Sequence, residues 1–191
     1  MIINLIFFLG PTNVGKTTLI DYSIKEFGAA GIFVGRVLRA KHGEDFFQGQ
    51  AAPDCTKVES LQIMDDEIQE AIKNNKELIL IDGQPRSDDQ LQHILKKYIV
   101  TKTNHNVIPG FLLLHCSNEI RRERMLKRDL TPEKKKLAEQ RFFGDLPQVH
   151  KVVYDLILLG YKDIIYPLNS ENSFVEFKHF YRILLERQKG F

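Results

Sequence analysis

Lys16, Thr17 and Thr18 follow Gly10 and Gly15 at the spacing G-x-x-x-x-G-K-[ST], inside the stretch GPTNVGKTT. Residues of those types at those places suit the handling of phosphate. Glycines let backbone N–H groups close around phosphate oxygens, and a helix starting there adds the positive end of its dipole. Lys16 can then reach the outer phosphates of a nucleotide while a threonine hydroxyl faces a magnesium ion. Gly10, Asn13, Val14, Gly15, Lys16, Thr17 and Thr18 are therefore the expected triphosphate loop. A second candidate is Asp82, which ends the apolar run ELILID. With Thr17 it could hold Mg2+, often through water; the plainer alternative is a turn acid or helix cap. Arginines form the third group. Arg39 and Arg86 lie in polar loops, and Arg124 and Arg128 in RRERMLKR are four apart, on one face of a helix. Guanidinium forks match phosphate oxygens, although such a run standing alone is most simply a solvated basic face.

The elements that must position these groups alternate along the chain. IINLIFFL before the glycine loop is an apolar strand, and LIDYSIKEF after it has helical spacing. Segment 31–34 (GIFV) predicts a second strand, followed by a polar, glycine-containing stretch. A helix is expected over 57–75, where Leu61, Met64, Ile68 and Ile72 step by three and four. ELILIDG predicts a third strand and 88–100 a helix. Segment 107–115 predicts a fourth strand, interrupted early by Pro109-Gly110. A basic helix over 118–128, a charged link, two helices over 132–143 and 147–159, a short strand over 163–168 and a helix over 172–188 complete the pattern. Strands apolar throughout and alternating with helices imply an α/β fold, a parallel sheet covered on both faces. In such sheets ligands bind beyond the carboxyl ends of the strands, so the glycine loop, Asp82 and the residues after it should share one cleft.

A family resemblance enters at DGQPRSDDQ. DG-x-PR-x-x-x-Q at the end of the third strand resembles the signature of adenylate kinases and related nucleoside monophosphate kinases. GRVLRA resembles their G-D-L-L-R-A, matching Gly35, Leu38, Arg39 and Ala40. RMLKRD resembles the opening of their lid, and KKLAEQR the lid-closing segment that ends in Arg141. The resemblance implies a three-layer P-loop kinase fold with a five-stranded parallel sheet, a monophosphate-binding region over 35–75 and a short lid over 124–141. It implies that Gly35, Arg39, Gly83, Arg86 and Gln90 bind a monophosphate, that Arg128 and Arg141 close on the transferring phosphates, and that Arg124 lies against the donor base. Lys16, Arg86, Arg124, Arg128 and Arg141 form the implied catalytic set. Gln90 tilts the acceptor toward AMP. Val34, Gln84 and Arg36 depart from the adenylate kinase pattern near the acceptor, and one lid arginine is missing, with Lys134, Lys135 or Lys136 as stand-ins.

The expected activity is transfer of the γ-phosphoryl of ATP to AMP or a related monophosphate. It needs no general base, because the acceptor oxygen is already ionised. UMP, CMP or a deoxynucleotide as acceptor is the alternative, and so is a poorly catalytic ATP-binding regulatory or assembly protein. Bulk properties fit one domain spanning residues 1–191, with 43% hydrophobic and 27% charged residues. A net charge of +2 gives no case for nucleic acid. Cys55 and Cys116 fit neither a metal spacing nor a redox pair. No apolar run reaches membrane-spanning length. A cytoplasmic monomer is the expectation. The six histidines show no metal or triad spacing, and His115 is read as a core residue.

Overall fold

The computed structural model describes residues 2–43, 54–101, 106–128, 131–171 and 173–189. Strand β1 (Ile2–Leu9) lies at the centre of a sheet with β2 (Ala30–Ile32), β3 (Leu78–Asp82), β4 (Asn106–His115) and β5 (Ile165–Asn169). The order is β2-β3-β1-β4-β5 and every pairing is parallel. Helices α1 (Lys16–Phe27), α2 (Val34–His42), α3 (Asp54–Lys73), α4 (Asp88–Ile94), α5 (Asn118–Leu126), α6 (Pro132–Leu158) and α7 (Ser173–Lys189) cover it. A π-helical stretch, Leu95–Val100, extends α4.

Two-residue alternation along the central strand builds two cores, because successive side chains of a strand point to opposite faces. Ile3, Leu5, Phe7 and Leu9 pack with Met64 and Ile68 of α3, Ile94 of α4 and Leu156 of α6. Ile6 and Phe8 pack with Leu19 and Ile20 of α1 and Phe177 and Phe180 of α7. A strand buried on both faces reads as one apolar run, as the sequence showed. The chain crosses from β3 to β4 over β1, so the sheet order reverses beside the carboxyl end of β1, where open α/β sheets bind ligands.

Element boundaries differ from the sequence expectation in several places. The second strand is shifted to Ala30–Ile32, and Val34 opens helix α2 through the stretch read as an irregular loop. Its apolar Val34 and Leu38 are four apart and buried, a one-sided pattern too short to stand out beside Arg36, Arg39, Lys41 and His42. Pro109-Gly110 does not interrupt β4. The pairing with β5 begins only at Phe111, so the edge of β4 away from β1 is open at Pro109, where a missing N–H is tolerated. Finally, 132–158 is one helix with Pro147 inside it, not two. A proline there leaves the carbonyl four residues back without its helical donor, but neighbouring contacts hold α6 on the sheet: Val152 and Leu156 are buried in the first core.

Candidate active site

Helix α1 begins without local neutralisation. Its cap, Gly15, has φ +101° and offers no side chain, and its first turn carries no acid. Helices α4 and α5, by contrast, are capped by Ser87 and Ser117 and carry Asp88, Asp89 and Glu119 in their first turns. The N–H groups and dipole of α1 therefore face the loop with no acid of the helix's own first turn against them, which suits an anion site. Gly10 is fixed by close approach: at φ +143°, a Cβ would come within 2.7 Å of the Leu114 carbonyl oxygen.

Around that helix end the structure gathers most of the residues read from the sequence. Thr17 Oγ1 donates to Asp82 Oδ2 at 2.8 Å, so the hydroxyl and carboxylate assigned to Mg2+ meet from separate elements. Lys16 Nζ folds back onto its own loop, donating to the carbonyls of Gly10 at 2.6 Å and Pro11 at 3.0 Å. Burial lowers its pKa to about 8, Arg86 and Arg121 push the same way, and Asp82 and Asp145 oppose. Arg86 Nε donates to the Gly83 carbonyl at 2.8 Å, and its guanidinium lies over Gly83. The pKa of Arg141 on α6 is lowered, first by burial and then by the positive charges of Arg86 and Arg39. Arg39, half-buried, reaches across Gly35. Arg86 is thus near both Lys16 and Arg141, and Arg39 is near Arg141, although the four are widely spaced in sequence. Gly10, Thr12, Lys16, Gly83, Arg86 and Asp145 line the cleft between the loop, the end of β3 and α6.

Arg124 takes the other side of the loop. Its guanidinium donates to the Val14 carbonyl at 2.9 Å, to Ser170 Oγ at 3.1 Å and to the Ser170 carbonyl at 3.0 Å. It ties the loop to the turn after β5. Arg128 is exposed just beyond α5, and neither it nor Arg124 is among the charges that bear on Lys16 and Arg141. Gln90 is buried, with Oε1 accepting the Arg86 N–H at 2.7 Å and Nε2 donating to Ser60 Oγ at 3.2 Å. One lone pair and one N–H of that amide remain for a ligand. Lys135 and Lys136 are exposed on α6, and the Lys134 side chain lies outside the described residues.

Two residues of this neighbourhood were missed in the sequence. Asp145 Oδ2 accepts the Thr12 N–H at 3.1 Å, bringing a carboxylate of α6 onto the loop. Arg121 is only 2% exposed and touches the loop and α6 together. No spacing signal marks Asp145. Arg121 lay inside the basic run but was given no role of its own.

Comparison with known proteins bears on the family and the fold. An AAA domain family model matches residues 9–140. The chain is 28% identical over 137 residues to uridylate kinase of Saccharomyces cerevisiae, an alignment covering 68% of this chain and 64% of that protein, less than two thirds of its length. That likeness supports the nucleoside monophosphate kinase assignment made from the motifs. The crystal structure of a gluconokinase from Sinorhizobium meliloti superposes with a TM-score of 0.55 at 12% identity, covering 87% of this chain and 82% of that one. It shows the P-loop kinase fold. Among the described residues, no helix is long and apolar enough to cross a membrane.

Proposed function

The chain belongs to the AAA domain family, and from that premise we propose that it transfers the γ-phosphoryl group of ATP to a nucleoside monophosphate. The observation that supports the proposal is Lys16 and Arg86 lining one cleft beside an uncapped helix start, with Arg141 near Arg86 and Arg39 near Arg141. Phosphoryl transfer between two polyanions needs positioning and neutralisation of charge on the transferring oxygens, and little covalent chemistry from the protein. The loop and α1 hold the donor phosphates. Arg39 and Arg86 hold the acceptor phosphate, whose ionised oxygen attacks in line. Arg141 closes from α6 on the group in transit. Arg124, beside Ser170, borders the donor base. Thr17 and Asp82 offer hard oxygen donors 2.8 Å apart, a pair that fits Mg2+, which binds through one or two protein oxygens with the substrate phosphates. When bound, that ion would neutralise charge on the outer phosphates.

The cleft as described has a volume of about 40 Å³, room for a few waters. A wider opening between α6 and the loop would admit two nucleotides, and its closing would exclude water as a competing acceptor. AMP is the favoured acceptor on Gln90. The likeness to uridylate kinase favours UMP as the second reading. Product analysis of ATP and Mg2+ with a panel of monophosphates tests activity and base choice together. Formation of a nucleoside diphosphate from AMP or UMP is expected. ATP binding with no phosphorylated nucleotide from any acceptor would return the chain to the class of nucleotide-responsive binding proteins.

A further inference from the structure

Arg121 is buried to 2% exposure, and the chemistry just described makes no use of it. All three arms of its guanidinium are engaged. Nε donates to the Thr12 carbonyl at 3.2 Å, Nη1 to Asn118 Oδ1 at 3.1 Å and Nη2 to the Phe142 carbonyl at 2.9 Å. Its plane lies against the Phe142 ring, 4.3 Å from the centroid. None of these acceptors is a carboxylate. A charge so deeply buried without a directly bonded anion is costly, and a simple core arginine would be replaced at no loss by an apolar side chain. What distinguishes this one is where its arms end: on the phosphate loop, on α5 and on the residue that follows Arg141.

The other side of Thr12 is held as well. Asp145, one turn beyond Arg141 on α6, accepts the Thr12 N–H at 3.1 Å. The N–H and the carbonyl of one loop residue are therefore both tied to α6, one directly and one through Arg121. We propose that Arg121 is a positioning residue: with Asp145 it clamps Thr12 between the loop and α6, and so sets the separation of Lys16 and Arg141 on which transfer depends. A planar fork that reaches three acceptors while stacked on a ring has no equivalent in lysine, whose ammonium is a point charge on a flexible stem. Displacing a transferring group by about 1 Å is enough to lower a rate by as much as a hundredfold.

The inference rests on the kinase reading, and its test separates the two. Transfer rate, KM for ATP and melting temperature are measured for wild type, Arg121→Lys, Arg141→Ala and the double variant, with Asp145→Asn alone and with Arg141→Ala as a second cycle that survives if Arg121→Lys does not fold. Arg121→Lys is expected to lower kcat about tenfold, with KM for ATP nearly unchanged. In the Arg141→Ala background the same change should lower kcat less than about twofold, because residues acting through one another are not additive. Asp145→Asn should show the same pattern with a smaller loss. Equal losses in both backgrounds, or no loss in either, would overturn the proposal, since a role in stability alone acts independently of Arg141. If wild type forms no nucleotide product, the kinase reading fails in that arm alone. The same cycles are then scored on affinity for a fluorescent ATP analogue, where additivity again counts against the clamp.

Discussion

Two charged clusters in this molecule are built from similar side chains and end in opposite states. The first surrounds Asp65 on α3, which is 6% exposed. It accepts from Tyr98 at 2.5 Å and Lys97 at 2.6 Å, with His93 Nε2 at 2.9 Å. The π-helical stretch explains how adjacent residues 97 and 98 both reach it: its wider turn brings positions four and five after His93 onto one face. Burial and then the bond to Asp65 raise the Tyr98 pKa. Donors converge on one carboxylate and close on themselves. The second cluster, at the cleft, is the reverse. Asp82 and Asp145 act on Lys16, Asp145 acts also on Arg121 and Arg141, and Asp82 accepts from Thr17. The closed cluster joins α3 to α4, whereas the cations beside the phosphate loop suit the anion site proposed there.

The comparison is broken most severely at Lys16. Lys16→Ala should lower transfer by about a thousandfold or more without lowering the melting temperature of the empty chain, because an outer-phosphate cation contributes in the transition state and its burial does not favour the empty fold. Retention of wild-type turnover in a coupled assay would show that the cleft is not where transfer occurs. Arg86→Ala comes next, at about a hundredfold, with a rise in KM for the monophosphate larger than that for ATP. Equal rises would move Arg86 from the acceptor to the donor side.

Asp65→Ala probes the balanced cluster. Removing the carboxylate strands three donors, and breaking a buried pair costs about 3–5 kcal/mol. His93 and Lys97 are 33% and 37% exposed on their side chains and can turn to water, so the lower end, about 3 kcal/mol, is expected. That corresponds to a fall of roughly 6–12 °C in melting temperature for a chain of this size. Turnover per folded molecule, measured at low temperature, should stay within about twofold of wild type. A loss of turnover as large as that of Arg86→Ala would place Asp65 in the acceptor machinery and dissolve the distinction between the clusters.

How much of this was legible in the sequence follows from the range of each signal. The phosphate loop is local: its glycines, lysine and threonines are contiguous, and Gly10 and Gly15 take the backbone shapes that only their type accepts easily. Buried strands were legible because a run apolar on both faces has one explanation in an α/β chain. Asp82 was legible because its place at the end of a strand is set by the strand itself. Pro109 and Pro147 misled, since a proline breaks an element only where its missing donor is needed, and that depends on neighbours distant in the chain. Arg121 and Asp145 were not legible at all. Their meaning comes from contacts with Thr12 across more than a hundred residues, and a buried arginine has no local mark to tell it from the exposed Arg122 beside it.

The smallest predicted effect sharpens the electrostatic half of the comparison. With the Lys16 pKa near 8, against an ordinary 10.5, the empty site loses that charge as pH rises through 8. Bound phosphates favour the protonated lysine, so ATP binding above pH 8 takes up a proton. Affinity should be flat below pH 8 and fall by up to about tenfold per unit above it, until the lysine of the complex also titrates. The stability of the empty chain should carry the opposite slope. Between the folded and ordinary values the unfolded chain binds more protons at this site, so the contribution of Lys16 to stability rises with pH. Asp145→Asn removes a carboxylate that supports the charged lysine, and should move the break in affinity to lower pH. Arg86→Ala removes a repelling cation and should move it higher. Breaks that move the same way in both variants, or an ATP affinity independent of pH from 7 to 10, would mean that Lys16 does not sit among these charges when it meets its ligand.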